Sequence, residues 1–349
     1  MTTSTSLSQQ AAQLRSARIT RSRHHKRVTA LLAAALVLIF GMSLMIGETF
    51  YPPMDVLRAI FGQQVPGASY TVNELRLPRS SLAVIAGLAF GMSGIIFQTL
   101  LRNQLASPDI IGISSGAGAA GIVGIVIFQL PQSTVSVLAL VAGLIVAAGI
   151  YLLSLRGGFS GTRLILIGIG MAAMLHSVVT YTLSQAAAWD LSTATRWLSG
   201  SLNGATWERT IPVLITVIIA LPIQLLLSNR LAVLRLGDAQ AIGLGLRVNV
   251  VRVVVVVGAV ALIAVATAAC GPIAFVALMS GPIAARLVGP GAPLVVPAGL
   301  IGALLVISSD LIGQYLLGTR YPVGVITGIL GAPYLIYLLV RSDSKGSAL

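Results

Sequence analysis

Charge is what this sequence has least of: only 9% of its 349 residues are Asp, Glu, Lys or Arg. So few charges could not cover the surface of an ordinary water-soluble domain of this length. Lysine occurs twice, as Lys26 after His25 and as Lys345 after Ser344. A phosphate-binding loop needs a lysine between glycine and Ser or Thr, so ATP binding through that motif is excluded. Cys270 is the only cysteine, and an intrachain disulfide is therefore impossible. Of three histidines, His24 and His25 sit in a basic segment and His176 stands alone in an apolar run, where packing is commoner than metal ligation. No metal site, bound cofactor, nucleophile–base pair or other catalytic constellation is expected. Gly243-Leu244-Gly245 lacks the third glycine and the preceding strand of a dinucleotide fingerprint. Buried ionisable groups, the relays of ion-coupled carriers, are nearly missing too. Asp310, with Gln314 one turn later, is the exception, and it reads better as an interfacial polar group than as a relay. Any transport by this chain would draw its energy from another subunit.

What the sequence has is apolar length. Apolar residues make up 56%, and the 37 glycines bring the share to about 67%, against about 45–50% for soluble domains. Mean hydropathy is +0.95. Continuous runs such as Val28–Ile46 and Val253–Ala269 have the length of bilayer-crossing helices. The short alternating segments of a β-barrel do not occur. About ten spans are predicted, at 28–47, 80–101, 108–129, 134–154, 163–185, 210–228, 250–269, 272–289, 297–315 and 322–340. The eighth lies between Gly271-Pro272 and Gly289-Pro290 and is expected to be bent or incomplete. The fold expected is an all-α, polytopic membrane bundle spanning 28–341, with a disordered basic tail at 1–27, a short tail at 342–349 and a long polar loop at 229–249.

The net charge of +13 does not indicate nucleic acid, because no aromatic residues interleave with the basic ones. Arg15, Arg18, Arg21, Arg23, Lys26 and Arg27 precede the first run, which predicts a retained helix and a cytoplasmic amino terminus. An even number of spans returns the carboxyl terminus to the same side. That side collects Arg102, Arg156, Arg163, Arg230, Arg235, Arg247, Arg252, Arg286, Arg341 and Lys345. The other side holds Arg58, Arg76, Arg79, Arg196, Arg209 and Arg320 among Glu48, Asp55, Glu74, Asp190 and Glu208.

Three local features stand out. Glycines four apart (Gly87 and Gly91, Gly112 and Gly116, Gly324 and Gly328) are a helix-packing signal and say nothing about substrate. The stretch from Gln98 through Arg102 and Asn103 to Pro108 and Asp109 joins two apolar runs by a tight polar corner. In the polar loop, Asp238 is suited to cap a short helix that Gly243 would end. Such a helix could dock into a partner or be an ordinary surface helix, and the residues alone do not choose.

These pieces occur in a fixed order: Arg76-Leu77-Pro78-Arg79; Asn103-Gln104-Leu105-Ala106-Ser107-Pro108-Asp109; the loop at Gly237; Gly271-Pro272; Asp310; Pro322-Val323-Gly324; and Gly331-Ala332-Pro333. The ordered set resembles the iron-siderophore and cobalamin (FecCD-type) branch of ABC importer permeases, most of all the ferric-siderophore permeases of the catecholate type. Departures exist: Gln104 stands where the family has proline, Ser280-Gly281-Pro282 where it often has Pro-His, and Gln314 where it often has arginine. The resemblance implies a permease subunit that pairs with a second permease, the same chain or a related one. It implies two ATPase subunits that hold ATP and magnesium inside, and a substrate-binding protein outside, in the bacterial inner membrane. It implies that Gly237, Asp238, Ala241, Gly243, Leu244 and Gly245 contact the ATPase, and that Arg76, Arg79 and Arg320 meet acidic residues of the binding protein. Gln98, Asn103, Leu105, Ala106, Pro108, Gly112, Gly271, Pro272, Asp310, Pro322, Gly324, Gly331 and Pro333 would be structural. The expected cargo is an iron(III)–siderophore complex. Cobalamin or haem carried in the same way is the alternative, with an ion-coupled carrier as the remaining one.

Overall fold

The computed structural model describes residues 2–155, 160–234, 237–289 and 291–343, with side chains left out at 2–18, 110–111 and 341–343. Arg156, Arg235, Pro290, Lys345 and the end of the carboxyl-terminal tail lie outside the described residues. Among the described residues every regular element is helical. In chain order these are α1 (Thr2–Met45), α2 (Pro53–Ile60), α3 (Ala68–Tyr70), a π-helical stretch (Thr71–Arg76), α4 (Leu77–Leu100), a 3-10 turn (Pro108–Ile111), α5 (Ile113–Val126), α6 (Gln132–Ser154) and α7 (Gly161–Ser184). Then follow α8 (Ala188–Ser199), α9 (Trp207–Leu234), α10 (Asp238–Gly243), α11 (Val248–Cys270), α12 (Val276–Val288), α13 (Val295–Tyr315) and α14 (Val323–Asp343).

Among the described residues eight helices are long and apolar enough to cross a bilayer, and α5 and α12 are shorter apolar helices. These ten coincide with the ten spans read from the sequence. Three boundaries move by six residues or more, one of them where α9 runs on to Leu234 instead of ending at 228. The helix ending at Leu100 starts at Ala68 rather than at 80, because α3 and the π-helical stretch run straight into α4. Asn73, Glu74 and Arg76 lie in that extension, and their polarity hid it from a hydropathy reading. α1 runs back through the basic segment to Thr2.

α4 is the axis of the bundle. Of its most apolar window 78% is buried, against 17% for α1 and α7. It packs on α13, α12, α11 and α9. The α4–α13 crossing is close because both helices present glycine there. A Cβ placed on Gly87 would come within 2.5 Å of the Gly302 carbonyl oxygen and 2.6 Å of the Ala303 Cα. Phe90, Phe97, Ile96 and Leu262 fill the space beside this seam. A second apolar cluster joins α5, α6, α7 and α8 through Ile122, Val135, Val179 and Trp197.

Candidate functional site

The polar side chains gather at the two ends of the bundle. At one end lies α10. The chain enters it through Gly237, whose φ of +117° suits a residue without a side chain, and leaves it through Gly245 at +81°. Gly243 does not take the positive φ expected of the stop; Leu244 follows it in a helix-like conformation and Gly245 makes the reversal. Ala241 is fully buried, while Ile242 and Leu244 stand exposed.

Asp238 does not cap the helix; Gly237 occupies the cap and Asp238 is the first helical residue. Its carboxylate is held from two sides. Arg102 Nη2 donates to Oδ1 at 3.1 Å, and Arg252 Nη2 donates to Oδ2 at 2.7 Å. Arg102 also reaches the Leu234 carbonyl at the end of α9, 3.2 Å away. Four elements therefore meet at α10: the α4–α5 corner, α9, α11 and α10 itself. The sequence reading missed both arginines as partners of Asp238. Arg252 carried a usable signal, since it interrupts an otherwise apolar valine run and a charge there needs a partner.

The corner that carries Arg102 is built as its residues suggest. Asn103 Oδ1 accepts from the Leu105 N–H at 2.9 Å and the Asn103 carbonyl accepts from the Ala106 N–H at 3.1 Å, while Ala106 is fully buried. Gln104 is exposed, so proline is not needed at that position. The Ser107 hydroxyl accepts from the Asp109 N–H and donates to its carboxylate, closing the turn before Pro108. Gly112 turns left-handed, at φ +72°, to start α5. Gln98, buried, ties this end of α4 to α12 by donating to the Leu278 carbonyl at 2.9 Å.

At the opposite end Arg76, Arg79 and Arg320 are engaged within the chain. Arg76 is buried and lies against the last turn of α1. Its Nη1 donates to the Leu44 and Met45 carbonyls at 2.9 Å each, its Nη2 to the Thr49 carbonyl at 2.6 Å, and its guanidinium sits 4.9 Å from the Tyr51 ring centre. Within the chain Arg76 caps the carboxyl end of α1, whose last carbonyls have no partner within the helix. Arg79 is committed as well. It grips Asp310 through Nε–Oδ2 at 2.9 Å and Nη2–Oδ1 at 2.7 Å, and its Nη1 donates to Asn203 Oδ1 at 2.7 Å. Gln314 adds its amide to the same carboxylate at 3.3 Å. Arg320 is exposed and paired with Glu48.

The remaining motif residues form a backbone joint beside this network. The α11–α12 break at Gly271-Pro272 lies under the end of α8, with the Ser201 N–H donating to the Cys270 carbonyl at 2.7 Å. The Gly324 N–H, at the start of α14 just after Pro322, donates to the Gly200 carbonyl at 3.2 Å. Gly331 faces Phe275 across a gap that leaves no room for a side chain, and Pro333 lies inside α14.

The model of the FecCD transport family matches residues 35–341. The chain is 38% identical over 320 residues to the ferric enterobactin transport system permease protein FepG of Escherichia coli, covering 91% of this chain and 97% of that one. It is also 38% identical over 315 residues to the achromobactin transport system permease protein CbrC of Dickeya dadantii, covering 89% and 90%. A solved inward-facing structure of a metal-chelate type ABC transporter superposes with a TM-score of 0.81 at 26% identity, over 90% of this chain and 99% of that one. With the apolar helical bundle, the tethered α10 and these matches in hand, this chain belongs to the FecCD transport family.

Proposed function

We propose that this chain is the permease subunit of an ATP-driven importer of iron(III)–siderophore complexes. The observation that carries the reading is α10. It is short, presents Ile242 and Leu244 outward, and is tied by Asp238 to the α4–α5 corner and to α11 through two arginines. Exposed apolar groups on so rigid a stub suit insertion into a groove of a partner, here the ATPase that holds ATP and magnesium. Movement of that partner would be passed to two helices of the bundle without slack. The α10 end is then cytoplasmic, in accord with the bias of arginine toward it, and the opposite end faces the binding protein. A second permease, a copy or a relative, would complete the path.

In this mechanism ATP closes the ATPase pair, α10 moves, the path opens toward the docked binding protein, and hydrolysis resets it. None of the bond chemistry is done by this chain. The relatives named above are, by name, permeases for ferric enterobactin and achromobactin, which supports ferric siderophores as cargo. The ion-coupled reading loses its relay, because Asp310 is locked by Arg79 and Gln314. The membrane proposed is the bacterial inner membrane. Purification of the tagged chain in mild detergent tests the reading: an ATPase in equal amount is expected, and its absence from the intact chain would overturn it.

A further inference from the structure

Two arginines at the end opposite α10 are not used by anything described so far. Arg196, on α8, and Arg209, in the first turn of α9, line one cavity of about 290 Å³. Neither guanidinium makes a hydrogen bond or ion pair among the described residues, and Arg209 is half-buried. The carboxylate whose field Arg209 feels is Glu208, its chain neighbour, which does not line the cavity. No carboxylate does.

The rest of the wall is compatible with the same charge. Asn203 lines the cavity, its amide oxygen accepting from Arg79 while its N–H groups remain to be offered. Thr193 lines the wall with a hydroxyl that donates to the Trp189 carbonyl, and Trp197 supplies an apolar side. Gln132 and Thr193 continue into a neighbouring hollow of about 460 Å³, where exposed Trp189 gives an aromatic face beside Asp190. Two unpaired guanidiniums, one half-buried and one exposed, on a wall without a carboxylate suit oxyanions. The cavity is near the lower end of small-molecule sites in size, large enough for one arm of a chelate.

We propose that this cavity is a binding site for anionic metal chelates, a station at the outer mouth where Arg196 and Arg209 take the oxyanion donors of one chelate arm. The proposal deepens the functional reading above and rests on it for the direction of passage. It makes the permease itself selective for charge, whereas a path lined only by small and apolar groups would be indifferent.

All three tryptophans, Trp189, Trp197 and Trp207, lie in α8 or at the start of α9, so a bound iron chelate should quench their emission. The experiment uses the complete permease–ATPase complex in lipid nanodiscs without the binding protein. The probes are iron(III) tris(catecholate), a trianion, and a neutral iron(III) tris(hydroxamate). The wild type should be quenched saturably by the anion and not by the neutral chelate. Arg196→Gln and Arg209→Gln should each raise the Kd for the anion roughly tenfold, the size of one lost charge-assisted contact. Arg196→Lys and Arg209→Lys, which keep the charge, should stay within a few-fold of the wild type, and the affinity for the binding protein should not change. Equal quenching of all variants by the anion overturns the proposal. So does a loss of binding-protein affinity with chelate quenching intact, which would make the cavity a socket for an acidic side chain. Charge-selective quenching in a chain that imports no chelate would keep the site and defeat the importer reading instead.

Discussion

Arg79 and Asp310 face each other across the α4–α13 seam as a two-pronged ion pair, Nε to Oδ2 at 2.9 Å and Nη2 to Oδ1 at 2.7 Å. Both side chains are mostly buried, at 20% and 11% exposure, and Asn203 and Gln314 satisfy groups that the pair leaves over. Removing one partner from such a pair strands a charge, whereas removing both does not. Arg79→Gln or Asp310→Asn alone should therefore destabilise the chain by about 3 kcal/mol. The double variant should cost clearly less than the sum. Thermal unfolding of the four proteins in one detergent measures the coupling, and strictly additive losses would show that the two residues do not act as a pair.

The same seam gives a test of steric fit. A Cβ at Gly87 meets backbone of α13, which cannot rotate away, while a Cβ at Gly149 in α6 meets nothing within 4 Å. Alanine is the better helix former by about 1 kcal/mol. Gly149→Ala should thus be neutral or slightly stabilising, and Gly87→Ala should cost about 1–3 kcal/mol through overpacking. The opposite ranking in a melting experiment would mean that α4 and α13 are not in close backbone contact.

Much of this architecture was legible in the sequence, and the limits of that reading have a physical pattern. Hydropathy located ten spans because the bilayer requires about twenty apolar residues for each crossing. The corner at Asn103–Asp109 was legible because its turn residues bond to their own neighbours, a local matter. Arg76 was not. Its position in a motif suggested an outward role, but the direction of its side chain is set by the carbonyls of α1, more than 25 residues earlier in the chain. Asp238 was read as a cap for the same reason: the arginines that claim it lie on other elements.

Arg76 makes the contrast testable. If it caps α1, Arg76→Met should lower the melting temperature while leaving the affinity of the folded protein for its binding protein within about twofold. Three charge-assisted bonds to carbonyls are lost, each of order 1.5–3 kcal/mol before relaxation. Arg76→Lys, with a point-like ammonium in place of a fork, should fall between. A wild-type melt combined with a large loss of binding-protein affinity would restore the docking role and reject the cap.

The arginine pair on Asp238 sets the last expectation. If α10 passes motion to the bundle through Arg102 and Arg252, then Asp238→Asn removes the charge that holds both but leaves Ile242 and Leu244 exposed for the ATPase. The ATPase should still co-purify with this variant, while uptake per ATP hydrolysed should fall about tenfold or more, the equivalent of losing one charge-assisted contact from the moving unit. Ile242→Asp should do the reverse: the tether stays, the apolar contact is lost, and the ATPase no longer co-purifies. The two variants thus separate holding α10 in place from holding the partner. Loss of the ATPase from both would mean that Asp238 touches the partner directly. Normal coupling in Asp238→Asn would mean that the backbone through Gly237 and Gly245 fixes α10 unaided. Either result would move the point of force transfer from the two ion pairs, which bind α10 to the α4–α5 corner and to α11, to the backbone or the partner.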